Sequence, residues 1–353
     1  MWLLLLAATL RTIAAANCSL TQPEDVRLAA ALDLATAGCG TVVYTTLAYG
    51  PGTRLPHPGT RLAEMAREGS ACYIVVAGAA SAASLAAHCD VRPWRVVTAG
   101  AASGRRASRA VKLRPLLFFR NARYLVFVDW KLRLLRMPSS LVAAMLRDAG
   151  FAAFRHPCTA AHTPPTRSPC NHRRPGDPWW RAEAREIARR GVVADADALR
   201  VQVQRYSRAG PLVEYVDGAL LVWDAMHPVA GALSCAWWAE YNREDSSDRD
   251  QLAFARAITA IIPPNPTDDP ARSFEASTRR GGVFIVSEGG GRRGACGGLC
   301  HQYDATGTAV APAGARVLPP SSPAPGPCKV TSLGYRISRP GKISTSSDFS
   351  SEA

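Results

Sequence analysis

The sequence lacks three patterns that would each indicate a well-defined class of protein. It has no apolar run of about 20 residues, the length needed to span a bilayer, so no transmembrane span is predicted. It has no Gly-rich phosphate-binding fingerprint, because the basic stretch at 100–108, GAASGRRAS, does not have P-loop spacing. Its ten cysteines include no paired Cys-x-x-Cys motif, which argues against a structural zinc site.

Lysine is scarce in this chain, since only four of its 42 Lys and Arg residues are lysines. Two of the four, Lys329 and Lys342, lie in a low-complexity tail, and the other two, Lys112 and Lys131, flank one short apolar run. The abundance of Ala, Gly, Pro and Arg indicates a compositional drift towards Arg wherever a generic positive charge suffices. A lysine kept against that drift indicates a position that needs a compact ammonium group, with chance as the alternative.

Acidic residues are scarce in the same region. Asp129 is the only acid between Asp90 and Asp148, a span that holds thirteen Arg and Lys residues. It directly follows residues 124–128, YLVFV, whose aromatic and β-branched composition predicts a strand buried on both faces. Ligands of open α/β sheets bind at the carboxyl ends of the strands. We therefore expect Asp129 to project into a crevice, where one carboxylate among cations suits a metal ion shared with an anionic ligand.

Length, composition and charge limit the number of domains and the classes of binding partner. A chain of 353 residues, 47% of them hydrophobic and 7% aromatic, can bury the core of one large domain or two small ones. A net charge of +14 would attract nucleic acid, anionic lipid, acidic polysaccharide or nucleotide phosphates. Compositional arginine explains much of that charge outside residues 92–136, and no nucleic-acid partner is expected.

The amino terminus resembles a secretory signal. Residues 1–10 form a short apolar run, and the small residues at 14–16 suit cleavage, so a signal peptide is predicted over 1–16. No positive charge precedes the run, and a truncated start is the alternative. With a signal, Asn17-Cys18-Ser19 becomes an N-glycosylation acceptor and the even number of cysteines lies in a compartment that permits disulfides.

Apolar strand-like runs alternate with helix-like segments along the chain. Strands are expected at 41–44, 73–77, 94–98, 124–128 and 219–223, and helices at 140–149, 180–190, 233–241 and 252–262. Such alternation predicts an α/β fold with a mostly parallel sheet and helices on both faces. Residues 263–353 are rich in Pro, Gly, Ser and Ala, which predicts a largely disordered tail with one possible strand in VFIVSE.

Six segments together resemble a known family. FRNARYLVFVDWKLRL resembles the motif of a glycosyltransferase-like domain family whose plant members include mucilage-related hexosyltransferase-like proteins and the turgor-regulation-defect protein. The other segments occur in the family's order: VVYTTLAYGPGTRLPHP, the Lys112 segment, FRHP, VQVQRYSRAG and CAWWAEYNREDSSDRDQLAFAR. The resemblance implies an A-type glycosyltransferase fold over residues 38–262. It also implies transfer of a sugar from a nucleotide-sugar donor to a glycan or other acceptor in the secretory pathway, in the Golgi lumen or outside the cell.

The resemblance assigns candidate donor-side residues. Asp129 would hold a divalent cation such as manganese, which would stabilise the charge of the departing nucleoside diphosphate. The motif Asp-Trp-Lys has one carboxylate where metal-dependent transferases typically show two, so Lys131 would replace part of the metal's charge. Lys112 is expected to bind substrate, and Arg155 and His156 are expected at the edge of the same crevice, with His156 as a catalytic candidate.

The acceptor side is assigned to the Arg-Asp-Gln motif at 249–251. Asp250 is expected in the first turn of a helix, where an ionised carboxylate is favoured, and it would act as a general base or bind the acceptor hydroxyl. Arg249 and Gln251 would orient that hydroxyl. Trp237 and Trp238 point to different faces of a helix, so one is expected in the core and the other as a platform for a sugar ring. Helix capping is the alternative for this acidic segment.

Two other classes of function stay open at this point. A plant relative has been described as an alkaline ceramidase, an amide hydrolase, for which His156, His227, Asp129 and Asp250 would supply a metal or water site. A non-catalytic module that binds carbohydrate or polyanions would be explained by the basic stretch alone.

Overall fold

The computed structural model describes residues 18–46, 71–88, 93–99, 105–129, 132–134, 137–155, 179–191, 193–209, 216–262, 283–286 and 300–302. The strands are β1 (Thr41–Thr46), β2 (Ala71–Ala77), β3 (Arg95–Thr98), β4 (Tyr124–Val128), β5 (Leu132–Leu134), β6 (Phe151–Arg155), β7 (Val216–Asp224), β8 (Val283–Val286) and β9 (Cys300–Gln302). The helices are α1 (Pro23–Ala35), α2 (Ala79–His88), α3 (Arg105–Leu113), α4 (Pro115–Phe118), α5 (Pro138–Leu146), α6 (Trp179–Arg190), α7 (Ala196–Arg208), α8 (Pro228–Tyr241) and α9 (Asp250–Ile261).

The described strands form a seven-stranded sheet in the order β3-β2-β1-β4-β7-β6-β8. Strand β7 is antiparallel to both of its neighbours, β4 and β6. The remaining neighbours in the sheet pair in parallel. The prediction of a mostly parallel sheet is therefore confirmed.

Helices cover both faces of the sheet. Strand β4 shows the pattern, since Leu125 and Phe127 enter one core while Val126 and Val128 enter the other. The first core is closed by α1, α3, α4, α8 and α9, and the second by α2 and α5. A third cluster packs α6 and α7 against α9. Both faces of a continuously apolar strand are thus buried, as expected for a central strand of an α/β sheet.

Two disulfides join segments that are distant in sequence. Cys18 pairs with Cys235 in α8, and Cys39, just before β1, pairs with Cys72 in β2. The second of these bonds lies at the first core, where Cys39 is buried and Cys72 packs against it. No helix among the residues described above is long and apolar enough to cross a bilayer.

The folded region is larger than the range 38–262 expected from the sequence. Helix α1 precedes it, and its residues Leu28 and Leu32 are buried in the first core. Strand β8 follows it and pairs with β6, so VFIVSE does contain a strand. Strand β9 pairs with β5 in a separate two-stranded sheet, which places a second strand in the tail expected to be disordered.

Candidate functional site

The carboxyl ends of β1 and β4 mark the point where the order of the strands reverses. From β1 the chain continues outward through β2 and β3, and it then returns to place β4 on the other side of β1. In open α/β sheets the crevice outside such a switch point is where ligands bind. Strand β1 ends there with Thr45 and Thr46, and β4 is followed there by Asp129.

Asp129 and Thr46 are neighbours across this switch point. Strands β1 and β4 are in register with Tyr44 opposite Phe127, so two residues further along Thr46 comes beside Asp129. The pleat then puts both side chains on the face that carries Tyr44 and Phe127. The amide of Asp129 donates to the carbonyl of Ala219 at 2.7 Å, which fixes the backbone to β7.

The hydroxyls of Thr45 and Thr46 are buried without a hydrogen-bond partner among the described residues. Thr45 is 0% exposed and Thr46 is 5% exposed. A buried hydroxyl without a partner loses the hydrogen bonds that it makes to water in the unfolded chain. These two groups can therefore bind a ligand or a chain segment that lies outside the described residues.

A buried ion pair lies on the same face of the sheet. The ammonium of Lys112, near the end of α3, lies 2.5 Å from Oδ2 of Asp250, the first residue of α9. Both side chains are about 5% exposed or less. The Lys112 ammonium also lies 4.9 Å from the centre of the Phe127 ring, a cation–π contact. The pair therefore lies over β4, the strand that Asp129 follows.

Arg109 adds a second cation to this pair. It lies one helical turn before Lys112 in α3, so the two side chains share a face of the helix. Its Nε is 3.2 Å from the same Oδ2 of Asp250, and its side chain is 22% exposed, far more than that of Lys112. Asp250 therefore pairs with the Nε of a guanidinium that is partly exposed.

Burial and pairing act in opposite directions on these charges. Burial alone would raise the pKa of Asp250, but Arg109 and Lys112 outweigh it and hold that pKa well below its usual range. Burial lowers the pKa of Lys112 despite the attraction of Asp250. Burial also opposes the charge on Arg109, but Asp250 and Asp129 attract it, and the pKa of Arg109 is raised. Asp250 is therefore an ionised carboxylate and a weak base.

Helix α3 is fixed in place by hydrogen bonds to its last carbonyls. The Tyr44 hydroxyl, in β1, donates to the carbonyl of Lys112 at 3.3 Å, and the Ser234 hydroxyl, in α8, donates to the carbonyl of Leu113 at 2.7 Å. The last carbonyls of a helix have no partner within the helix, so these contacts satisfy groups that would otherwise be buried unpaired. They set the position of Lys112 relative to the strand ends.

Gly218 leaves the space that the Lys112 ammonium occupies. A Cβ at this position would lie 2.9 Å from Lys112 Nζ and 3.7 Å from Asp250 Oδ2. Gly218 lies where the pairing of β6 with β7 shifts, since Ala153 is opposite Leu221 and Phe154 is opposite Asp217. Such bulges redirect a strand next to functional sites. The glycine allows β7 to approach the ion pair closely.

The structure brings together three of the residues predicted from the sequence, Asp129, Lys112 and Asp250. Arg155 is the last residue of β6 and pairs with Val216, so its backbone lies at the same edge of the sheet. His156 and Lys131 lie outside the described residues, and their roles stay predictions.

The other residues of the expected acceptor side have different partners. Arg249 lies 3.8 Å from Glu183 in α6, and the amide of Gln251 donates to the carbonyl of Val216 at 3.2 Å. The N-cap of α9 is Arg249, which makes no side-chain capping hydrogen bond. Asp250 lies in the first turn, as expected, but it is 4% exposed and committed to two cations, so the geometry does not favour the general-base interpretation.

The two tryptophans differ as expected, and Trp237 is the one in the core. It is 0% exposed and its indole N–H donates to the carbonyl of Asp250 at 2.7 Å, so it cannot stack on a sugar. The ring of Trp238 is partly buried, and the guanidinium of Arg114 stacks 4.1 Å from its centre. A sugar could use only the other face of the Trp238 ring.

His227 lies at the opposite end of the sheet from Asp129. It caps α8 by accepting a hydrogen bond from Val229 N at 3.3 Å, and it follows the end of β7, where Asp224 is opposite Tyr124 at the start of β4. Five residues of strand separate that end from Asp129, which corresponds to about 16 Å. The constellation expected for an amide hydrolase, with His227 beside Asp129 and Asp250, is therefore wrong.

The described residues do not assemble a divalent-cation site around Asp129. Among them, no group of three or more His, Cys, Asp or Glu side chains is placed to hold a metal ion. The nearby carboxylate of Asp250 is committed to Arg109 and Lys112, and two cations at short range would repel a divalent ion. The donor set formed by the described residues therefore does not fit the divalent cation expected from the resemblance, and that cation stays a prediction.

Sequence reasoning missed Arg109, Thr46 and Gly218. For Arg109 a signal was present, because its spacing of three residues from Lys112 places both on one helix face. Thr46 follows the predicted strand 41–44 directly and lies at its carboxyl end. No sequence signal marks Gly218, because its partner, Lys112, is more than one hundred residues away in the chain.

Comparison with known proteins identifies a family and a distant structural neighbour. Residues 24–280 match the family model described as TOD1/MUCI70, glycosyltransferase-like domain. One similar solved structure is described as the apo structure of a WbbM bifunctional glycosyltransferase. It is 10% identical, with a TM-score of 0.34, and the match covers 70% of this chain and 38% of that chain. No curated protein matched the sequence.

Proposed function

The chain belongs to the TOD1/MUCI70 glycosyltransferase-like family, and on this basis we propose that it transfers a sugar from a nucleotide-sugar donor to a glycan or other acceptor. The family match agrees with the resemblance carried by six segments of the sequence. It covers Arg109, Lys112, Asp129, Gly218 and Asp250, so the residues of the candidate site all lie within the matched region.

One observation carries the proposal, the position of charged groups at the switch point of the sheet. Asp129 follows β4 there, Thr46 ends β1 there, and Arg109 and Lys112 lie on the same face. A nucleoside diphosphate suits this combination, because its ribose hydroxyls can donate to a carboxylate and its phosphate oxygens can accept from cations. The position and the chemistry support the same ligand class.

The proposed reaction exchanges one bond to the sugar for another. The bond between the anomeric carbon and the diphosphate oxygen breaks, and its electron pair leaves with the diphosphate. The acceptor hydroxyl oxygen forms the new bond to the anomeric carbon, and its proton passes to a general base. Negative charge develops on the diphosphate, and cations fixed in a site of low polarity, here Arg109 and Lys112, stabilise that charge.

We assign Asp250 to holding the two cations rather than to accepting the proton, because its pKa is depressed and its side chain is buried. His156, a catalytic candidate from the sequence, is the residue that we now propose as the general base. It directly follows Arg155, the last residue of β6, and β6 ends at the same edge of the sheet as β4. Arg155 and Lys131 remain candidates for contacts with the donor.

The disulfides support a place in the secretory pathway, in the Golgi lumen or outside the cell. Cys18–Cys235 and Cys39–Cys72 are paired, and disulfides form and persist in oxidising compartments. The predicted signal peptide at 1–16 lies outside the described residues and supports the same location.

A non-catalytic module that binds carbohydrate or polyanions is the second candidate function. The net charge of +14 favours it, because a basic surface attracts acidic polysaccharide without any catalytic group. Such a module would bind polyanions and would not release nucleoside diphosphate from any donor.

The decisive experiment incubates the purified protein with a panel of nucleotide sugars and detects released nucleoside diphosphate, with and without glycan acceptors. We expect release from one donor class, increased by the matching acceptor. The variant Asp129→Asn should lower this release, and the control Asp224→Asn, which changes a carboxylate at the opposite end of the sheet, should not. Binding of polyanions without release from any donor would favour the binding module.

A further inference from the structure

We propose that Arg109 and Lys112, held by Asp250, form a built-in cationic site that binds the donor diphosphate without a bound divalent cation, and that Asp250 is its positioning residue. This inference rests on the proposed function and specifies how the same site works. It replaces the metal expected at Asp129 with two side chains of α3.

The charge balance of the buried group supports this assignment. Arg109 and Lys112 share one oxygen of Asp250, so two positive charges are paired directly with a single carboxylate, and Asp129 attracts both of them more weakly. Burying an excess charge is costly unless something compensates it. A diphosphate at the mouth of the crevice supplies that compensation, while Asp129 accepts from the hydroxyls of the same nucleotide.

The two cations have different access to a ligand. Lys112 is 4% exposed and forms the inner part of the site, where its charge acts through a medium of low polarity. Arg109 is 22% exposed and pairs with Asp250 through Nε. Its Nη groups are the donors that we assign to the phosphate oxygens. A guanidinium fixed in this way can donate two parallel hydrogen bonds to one phosphate.

Asp250 and Gly218 set this geometry without touching the ligand. Asp250 fixes both cations through one oxygen, and its backbone is held by the indole of Trp237. Gly218 leaves room for the ammonium, since a Cβ would lie 2.9 Å from Lys112 Nζ. Gly218→Ala therefore displaces the ammonium and leaves every charge in the protein unchanged.

The test measures binding of UDP, GDP and the uncharged nucleosides uridine and guanosine by calorimetry, in EDTA and in manganese. We expect the wild-type protein to bind one of the diphosphates in EDTA with an affinity within about threefold of that in manganese. Arg109→Gln should lower the diphosphate affinity about 10- to 100-fold, the usual effect of losing a hydrogen bond to a charged group. The affinity for the nucleoside should not change.

Gly218→Ala tests the position of the Lys112 ammonium by steric displacement, without a change of charge. Gly150→Ala is its matched control. A Cβ at Gly150 would meet the His227 ring at 2.5 Å, at the other end of the sheet. We expect Gly218→Ala to weaken diphosphate binding several-fold with little change in melting temperature, and Gly150→Ala to leave binding unchanged. Arg114→Gln, which breaks a buried pair with Asp25 on α1, is the control for Arg109→Gln.

The outcomes separate this inference from the proposed function. Diphosphate binding only in manganese, or unchanged binding in both Arg109→Gln and Gly218→Ala, overturns the cationic site while glycosyl transfer still stands. An equal loss of diphosphate and nucleoside affinity in Arg109→Gln overturns it as well, because that result indicates a general structural effect. Absence of nucleotide binding under every condition overturns both proposals.

Discussion

Asp250→Asn distinguishes a residue that holds two cations from one that accepts a proton. Asparagine has nearly the same volume as aspartate, so the change removes charge and little else. Arg109 and Lys112 would then face each other in a buried site, 3.2 and 2.5 Å from an atom that is no longer charged. Removing one partner of a buried pair costs about 3–5 kcal/mol. For a domain of this size that loss lowers the melting temperature by about 10 °C.

The assay is thermal and urea-induced unfolding followed by circular dichroism, with nucleotide binding measured on the same samples. Asp25→Asn is the control, because it also removes a carboxylate from a buried arginine, Arg114, but Asp25 itself is 23% exposed. Water can compensate part of that change, so we expect a smaller loss of stability. An Asp250→Asn variant that unfolds within about 1 kcal/mol of the wild type refutes the reasoning, and loss of transfer at full stability would restore the general-base interpretation.

The pH dependence of the unfolding free energy provides a second test of the ionised state of Asp250, because the direction of the change with pH can be predicted. The pKa of Asp250 in the folded protein lies below its unfolded value, so its contribution to stability is fully present above the unfolded pKa. That contribution is lost as the pH falls towards the folded pKa. The difference in unfolding free energy between wild type and Asp250→Asn should therefore be largest near neutral pH and become smaller below about pH 5. A difference that stays constant down to pH 3 would contradict the assigned ionisation.

Three further predictions follow from the site and the fold. Asp129→Asn should weaken nucleotide binding at least about tenfold while the fold stays intact, because its carboxylate is expected to accept from ligand hydroxyls; unchanged affinity would remove it from the donor site. Cutting the chain after residue 288 should lower the melting temperature by only a few degrees, while cutting after 281 should cost far more, because it also removes β8 with its fully buried Val283; similar melting temperatures would contradict this. Replacing Cys18 and Cys235 together by serine should cost about 2–5 kcal/mol of unfolding free energy by releasing a long loop, and a loss below about 1 kcal/mol would show that this bond does not stabilise the fold.

The central strands could be predicted because each is an uninterrupted apolar run in the sequence, and helix-like segments separate these runs. The run at 124–128 forms β4 as expected, with alternate residues in two cores. The edge elements were harder to predict. Strand β9 has only three residues in a Gly-rich region, and its pairing with β5 depends on contacts nearly 170 residues apart. Short strands whose partners are remote leave no periodic pattern in the sequence.

The start of α5 shows the same limit on a smaller scale. For the helix expected at 140–149, serine is a favoured capping residue and the sequence offers Ser139 and Ser140 as caps, but the helix begins at Pro138 and its N-cap is Met137. Proline fixes a backbone angle that suits the first helical position and lacks the N–H that would be unsatisfied there. Proline and serine both favour the start of a helix here, and the helix begins at the proline.

The two acids singled out from the sequence, Asp129 and Asp250, show why charge type alone could not assign their roles. Both are aspartates in basic surroundings, and both lie at the carboxyl edge of the sheet. Asp129 is partly exposed beside the unsatisfied hydroxyl of Thr46, an arrangement suited to a ligand. Asp250 is buried under Arg109 and Lys112, so its charge is already used within the protein. The difference arises from helix α3, whose carbonyls are fixed by Tyr44 and Ser234 from two other elements. We therefore propose that Asp250, which folding surrounds with cations, positions them, and that Asp129, partly exposed at the end of its strand, contacts the substrate.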